Sequence, residues 1–305
     1  MDINCNMSTL ESQTQIESGL YHLIEMVIMC VSCSLNTMLS LPLVWVITRS
    51  PSLLRHTRFL LLAHLLLCDS LQQLLWTIKA VLMRSREGMS ITQCLIFSAA
   101  YQACSLVDFL LSTAMAVDRF VAVKWPLRYE LLTRTRRKRA AVTAIWTVSF
   151  VVFAVALGIS LSNIKVNYSF QRCRPLVLMP CLSETSAALL CCTLGSAVVL
   201  PLCSLTILGC FCLLCRDMHA GLLCSKRAWV TLSLQAVQTL LFSVPVIMEG
   251  YLIPAHLHSD AVDIASTITY NLGVSLIPLV YGYRSRELQQ RIRQAAHMCN
   301  VPNLT

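Results

Sequence analysis

The sequence predicts an all-α membrane protein, a seven-transmembrane helix bundle with a short amphipathic eighth helix. Hydrophobic residues make up 56% of the 305 residues and charged residues only 13%, which is typical of an integral membrane protein and excludes a soluble domain. Seven apolar segments are long enough to cross a bilayer, since a helix needs about 20 residues to span its hydrocarbon core. They lie near residues 21–48, 59–83, 94–123, 139–161, 183–215, 227–253 and 261–283.

The distribution of positive charge predicts the orientation of these spans. If the N-terminus is extracellular, 18 of the 24 Lys and Arg residues lie on the cytoplasmic side, as the positive-inside rule requires. The net charge of +9 then reflects topology and anionic membrane lipids and needs no nucleic-acid partner. Residues 1–20 lack a basic n-region, so we expect no cleaved signal peptide. The predicted regions are an extracellular segment at 1–20, the seven-helix domain at 21–283, and a cytoplasmic amphipathic helix and tail at 284–305.

The third span carries a narrow polar stripe, around which we expect the other helices to be organised. Its members follow one another at alternating spacings of four and three residues, so they share one face of a helix whose other faces are apolar. Polar side chains are costly in hydrocarbon, so this face should be turned toward other helices. The stripe consists of Tyr101, Ser105, Asp108, Ser112, Met115 and Arg119.

The third span and the loop after it contain a long and specific sequence motif. Cys94 stands at its outer end, the string MAVDRFVAV occupies residues 115–123, and PLRY follows at residues 126–129. This combination resembles the third helix and second inner loop of rhodopsin-like (class A) G-protein-coupled receptors. The resemblance is greatest to the odorant-receptor branch, including its fish forms.

Later segments extend the resemblance over nearly the whole chain, with two departures. Pro201, Pro245 and Pro278 stand at positions like those of family prolines in the fifth, sixth and seventh spans. Ser243 replaces the family's tryptophan, and Ile277 replaces its asparagine. These changes remove the side chains of the usual aromatic switch and of one polar link toward the core.

The resemblance implies a receptor without catalytic chemistry. It would reside in the plasma membrane and convert binding of an extracellular small molecule, an odorant above all, into activation of a heterotrimeric G protein. Asp118, Arg119 and Tyr281 are the expected coupling residues, since a guanidinium freed from Asp118 can reach carbonyl groups of a partner. Two alternatives stay open, a non-olfactory receptor for a lipid or peptide and a small-solute transporter. Internal repeats and glycine-rich broken helices, which favour a transporter, are not detected in the sequence.

Helical face and family position together predict the lining of a ligand cavity. The alternative is a tightly packed polar lining that binds no ligand. The candidate residues are Tyr101, Gln102 and Ser105 on the third span, Thr193 and Ala197 on the fifth, Ser243, Val246, Ile247 and Gly250 on the sixth, and Asp263, Thr267 and Asn271 on the seventh.

The outer surface carries a predicted disulfide and two predicted glycosylation sites. The resemblance implies that Cys94 pairs with a cysteine of the second outer loop, where disulfides persist. Cys173 is preferred for this role and Cys181 is the alternative. Asn6 and Asn167 begin Asn-X-Ser sequons that face outward in the predicted topology.

Two acidic residues are expected to meet in the membrane core. Asp108 lies eleven residues outward from Arg119 on the same stripe, about 16 Å along the helix, at the depth of the family's buried second-span acid, here Asp69. Two close carboxylates cannot both stay charged in a low dielectric without help. We therefore predict that they share a sodium ion, since oxygen ligands favour a hard cation. A protonated pair that joins the two helices is the alternative.

Lys79, near the outer end of the second span, has two possible roles. It could extend to the lipid headgroups, as lysines near helix ends often do. It could instead face the cavity, paired with Glu25, Glu249 or Asp263.

Overall fold

The computed structural model describes residues 3–83, 89–125, 129, 135–162, 169–170, 198–219, 233, 237, 260–279 and 288–292. These parts of the chain are almost entirely helical, with two strands of two residues each. The elements in chain order are α1 (Ile3–Arg49), α2 (Pro51–Leu54), α3 (Thr57–Met83), β1 (Met89–Ser90), α4 (Ile91–Lys124), α5 (Thr135–Ser162), β2 (Ser169–Phe170), α6 (Leu200–His219) and α7 (Asp260–Ile277).

The first four predicted spans coincide with apolar helical segments whose ends differ from the prediction by a few residues. In the described part of the chain, four helices are long and apolar enough to cross a membrane, and Pro201–Arg216 is a shorter apolar helix. Helix α7 covers most of the seventh predicted span. The sixth lies outside the described residues, apart from two helical positions at 233 and 237. The four long helices are Leu23–Arg49, Thr57–Met83, Thr92–Lys124 and Arg136–Ile159.

The segment before the first predicted span belongs to the same helix as that span. Helix α1 begins at Ile3 and continues without interruption through the predicted start of the span at residue 21. Residues 3–20 contain no proline and a single glycine, Gly19, so no strong breaker separates this segment from the span.

Local sequence signals explain where the helices begin and end. Ser50 precedes Pro51 and has an extended backbone, with φ −105° and ψ 95°, because the proline ring disfavours the helical region for the residue before it. This ends α1 and starts α2 with proline at a favoured position. Helix α4 starts with a capping box, in which the Ser90 hydroxyl accepts from the Gln93 amide and the Gln93 side chain accepts from Ser90 N–H.

Helix α4 is the centre of the bundle. It packs against α3, α5 and α6, while α1 packs against α3 and α7. One cluster of buried apolar residues runs through these interfaces, with Leu65, Leu66, Val107 and Leu111 fully buried within it. This arrangement confirms that the helix with the polar stripe organises the described part of the fold.

The N-terminal end of α4, predicted to be its outer end, is joined through β1 and β2 to the segment after α5, the predicted second outer loop. The two strands pair antiparallel, with Met89 opposite Phe170 and Ser90 opposite Ser169. The pairing holds part of that loop beside the first turn of α4.

Residues 288–292 are helical and show the pattern of an amphipathic helix. Leu288 is fully buried and Ile292 packs against the core, whereas residues 289–291 are exposed. This pattern fits the expected eighth helix, whose remaining residues lie outside those described.

Candidate functional site

The outer half of the α4 stripe faces α3 and α7. Tyr101 meets Trp76 of α3 edge to face, with ring centroids 5.0 Å apart and planes at 81°. Its ring also lies 6.3 Å from that of Tyr270 in α7. One turn deeper, the Gln72 side-chain amide donates to the Ser105 hydroxyl over 2.7 Å. Aromatic contacts and a neutral hydrogen bond therefore join three helices at this level.

Asn271 of α7 makes a second polar link to α3. Its side-chain oxygen accepts from the Gln73 amide at 3.3 Å, and its amide nitrogen donates to the Thr267 carbonyl at 2.7 Å. The same nitrogen lies 3.7 Å from the sulfur of Met29 in α1. Asn271 is only 4% exposed, so this link lies in the interior of the bundle.

The structure describes only part of the predicted cavity lining, whose role in ligand binding stays a prediction. It brings Tyr101, Ser105 and Asn271 into one polar layer, and it places Thr267 one turn from Asn271. Gln102 is half-buried on α4. Asp263 lies in α7, but its side chain is outside the described set, as are Thr193, Ala197, Ser243, Val246, Ile247 and Gly250.

The sequence reasoning missed the contribution of α3. Gln72 and Gln73 supply both amide links, and Trp76 supplies the aromatic contact. A signal was present, since two adjacent glutamines in an otherwise apolar span are costly in lipid and usually mark an interior or functional position.

Lys79 packs against this layer. Its ammonium lies 4.0 Å from the centroid of the Trp76 ring, a cation–π distance. Of its expected acidic partners, Glu249 and the Asp263 side chain lie outside the described residues. The contact with Trp76 favours the interpretation in which Lys79 faces the bundle.

Below the polar layer, Asp69 and Asp108 lie side by side, as the sequence predicts. They are 0% and 3% exposed, and they are close enough to hydrogen-bond once one of them carries a proton. When both side chains are ionised, none of their four oxygens accepts a hydrogen bond from the described residues. The Cys68 thiol, which also lies beside Asp108, donates to the Cys104 carbonyl at 3.3 Å.

The acid pair fits a shared cation or a shared proton. Four buried carboxyl oxygens without donors form an oxygen-only site, which suits a hard cation. Within the described ranges, no third His, Cys, Asp or Glu joins the pair to form a larger metal cluster.

The inner end of α4 is charged. The Tyr129 hydroxyl donates to an Asp118 carboxylate oxygen at 2.9 Å, and Arg119, Lys138 and Arg58 interact electrostatically with the same carboxylate. Burial and the charge of Asp118 raise the pKa of Tyr129, so its phenol stays protonated at neutral pH and remains a donor.

Two further contacts involve this inner end. The Lys138 ammonium of α5 donates to the Arg55 carbonyl in the turn before α3. The Arg58 guanidinium lies 4.5 Å from the Phe59 ring centroid. Tyr281, the third predicted coupling residue, lies outside the described residues.

The predicted outer modifications are described in part. Cys94 is fully buried and disulfide-bonded. Its partner is outside the described residues, as are Cys173 and Cys181, so the choice between them stays a prediction. Asn6 lies in α1 without a described side chain, and Asn167 is not described.

Comparison with known proteins agrees with this arrangement. Residues 40–299 match the model of the 7 transmembrane receptor (rhodopsin family). The chain is 27% identical to human Olfactory receptor 11A1 over 256 residues, 77% of each chain. It is 24% identical to human Olfactory receptor 12D3 over 226 residues, 69% of each. A shorter match, 28% over 134 residues, is to sheep Adenosine receptor A3 and covers 43% of this chain and 42% of that receptor.

The apolar helices, the polar stripe and the charged inner end agree with the receptor family that these comparisons identify. Its members are receptors and not enzymes, so the protein is a multi-pass membrane protein that transduces ligand binding. The chain belongs to the rhodopsin family of seven-transmembrane receptors.

Proposed function

We propose that this receptor binds an odorant or a similar small molecule at the outer half of its bundle and activates a heterotrimeric G protein at the inner face. The N-terminus would be extracellular and the receptor would reside in the plasma membrane. The olfactory receptors among its relatives support an odorant-type ligand, and the excess of Lys and Arg in the predicted inner segments supports the orientation.

The observation that carries this proposal is that one continuous helix bears both regions. Tyr101 in the outer layer and Arg119 at the inner end are 18 residues apart on α4, about 27 Å of helix. A ligand that binds the active arrangement of the outer layer better than the resting one shifts the population of the inner arrangement. Movement of α4 relative to α3 and α7 would therefore connect the two sites.

At the inner end, Tyr129 and Arg119 compete for one carboxylate. The hydrogen bond from Tyr129 occupies one oxygen of Asp118. The Asp118 carboxylate therefore holds the Arg119 guanidinium less strongly. A released Arg119 offers several N–H donors in a fixed fork, which suits backbone carbonyls of a partner protein. Asp118 and Arg119 are thus the proposed switch, with Tyr281 as a further coupling residue.

We also propose that Asp69 and Asp108 hold a sodium ion. Their four donor-free, buried oxygens support this assignment. A bound sodium ion would offset one of the two negative charges and connect α3 to α4. Ile277 is fully buried and apolar at the position of the family's asparagine, so its side chain cannot contribute an oxygen ligand.

The proposed function is tested by expressing the full chain in cells that carry a G-protein reporter and applying a panel of odorants. The expected result is a concentration-dependent response to at least one odorant, in cells where surface staining confirms the receptor. Transcript restricted to olfactory neurons would strengthen the odorant interpretation. Surface-expressed receptor that responds only to a lipid or peptide would replace it with the non-olfactory alternative.

A further inference from the structure

Three buried polar atoms in the outer half of α3 have no hydrogen-bond partner among the described residues. They are the side-chain oxygens of Gln72 and Gln73 and the indole nitrogen of Trp76. The two glutamines are 1% and 2% exposed, so bulk solvent does not reach their oxygens. Buried polar atoms are nearly always hydrogen-bonded in proteins, which makes these three candidates for contact with a bound molecule.

The surrounding contacts fix the direction of these groups. The amide nitrogen of Gln72 is used by Ser105 and that of Gln73 by Asn271. Each amide is thereby held between helices, with its oxygen remaining as a positioned acceptor. Trp76 lies one turn outward from Gln72, about 6 Å along the helix. Two acceptors and one donor therefore lie within the dimensions of a small molecule.

Charge is arranged with opposite signs on either side of these atoms. Lys79 lies one turn farther out, with its ammonium over the Trp76 ring at 4.0 Å. Asp69 lies three residues deeper than Gln72, about 4.5 Å of helical rise, beside Asp108. A ligand with its negative group outward and a hydrogen-bond donor inward matches this order.

We propose that Gln72, Gln73, Trp76 and Lys79 form a recognition site on α3 for a small carboxylic acid that also carries a hydroxyl or amino group. The carboxylate accepts from the Lys79 ammonium and the Trp76 indole N–H. The hydroxyl or amino group donates to the glutamine oxygens. The inference rests on the proposed receptor function and names a ligand class for it.

The arrangement discriminates between an acid and its ester. A methyl ester keeps the shape of the acid but loses the negative charge that pairs with Lys79. Sites built to hydrogen-bond a polar group strongly reject analogues that lack it, because the polar atoms of the site are then left unpaired. A purely apolar odorant would leave all three buried atoms of α3 unsatisfied.

The test uses the full-length receptor in lipid nanodiscs and measures its melting temperature. The probes are hydroxy and amino acids of about three to six carbons, the size that the helical spacing allows, each compared with its own methyl ester. At least one acid should raise the melting temperature with concentration while its ester does not. Lys79→Met should weaken that binding roughly tenfold to hundredfold, the effect of losing a charge-assisted hydrogen bond.

Further variants separate recognition from a structural role. Lys79→Arg keeps the charge and should retain most of the binding, whereas Trp76→Phe keeps the ring but loses the N–H and should weaken it. The same lysine-to-methionine change at exposed Lys124 is the matched control and should leave binding unchanged. If Lys79→Met does not reach the membrane, the Trp76→Phe and Lys79→Arg comparison still decides the point.

Two results would overturn the inference. One is the absence of a shift with every acid, and the other is equal affinity of wild type and Trp76→Phe for the acid. Either would mean that ordered water or packing satisfies the three atoms. Failure of the receptor function looks different, because an acid would then bind in nanodiscs while no ligand activates a G protein in cells.

Discussion

The outer and inner ends of α4 use different interactions. At the outer end, neutral amides and aromatic rings join α4 to α3 and α7, as in the Gln72–Ser105 bond and the Trp76–Tyr101 contact. At the inner end, one carboxylate, Asp118, attracts a phenol and several cations. Neutral hydrogen bonds fix geometry, whereas competing charges allow partners to be exchanged at small cost. The difference fits the proposed ligand recognition at the outer end and the proposed switching at the inner end.

The largest expected effect is at the covalent anchor of the outer region. Cys94→Ser removes the disulfide of a buried cysteine in the first turn of α4. Loss of a native disulfide typically lowers the free energy of unfolding by about 2–5 kcal/mol. We expect the variant to be lost from the cell surface, as measured by antibody staining of intact cells.

Cys212→Ser is the matched control, because Cys212 is a free, exposed cysteine. Mass mapping of the disulfide should identify Cys173, three residues beyond the strand that pairs with β1. A Cys94–Cys181 bond would select the alternative, and normal surface expression of Cys94→Ser would show that the outer end needs no anchor.

A smaller effect is expected between the two regions, at the acid pair. If Asp69 and Asp108 hold sodium, the agonist response of the wild type should change as sodium is varied at fixed ionic strength. Asp108→Asn should abolish that dependence, because the amide supplies one neutral oxygen in place of a charged carboxylate. Identical responses of wild type and Asp108→Asn at every sodium concentration would exclude the ion site and leave the protonated pair.

The smallest predicted effect is that of Tyr129→Phe at the inner end. Tyr129→Phe removes the hydrogen bond to Asp118 and lets the carboxylate restrain Arg119 more strongly. Basal signalling should fall roughly twofold to tenfold, because one hydrogen bond contributes about 0.5–1.5 kcal/mol to the equilibrium. Thr147→Val is a control for hydroxyl loss, since Thr147 bonds to carbonyls of its own helix in the part of the chain that the structure describes. Raised basal signalling in Tyr129→Phe would reverse the proposed competition.

The sequence alone was sufficient to predict the first four membrane helices and the polar face of α4. Hydropathy marks the spans directly, and the four–three spacing from Tyr101 to Arg119 places the stripe toward α3, where Asp108 meets Asp69. The Cys94 disulfide follows from the family resemblance and agrees with the bonded state of Cys94.

Other features could not be predicted, because they depend on how each helix is rotated about its axis and on the course of the loops. The pairing of Gln73 with Asn271 joins positions 198 residues apart, and it is set by how α3 and α7 rotate against each other. The bond from Tyr129 to Asp118 depends on how the chain turns after α4. The continuation of α1 to Ile3 reflects the lack of a breaker, which hydropathy does not record.

The central claim is that α4 transmits ligand binding to the charged inner end through Arg119. The direct measurement is ligand binding and G-protein activation by Arg119→Ala, side by side with Arg137→Ala, an exposed arginine of α5. We expect Arg119→Ala to reach the surface and to bind ligand as the wild type does, yet to show no ligand-dependent activation, while Arg137→Ala signals normally. Full signalling by Arg119→Ala would contradict it.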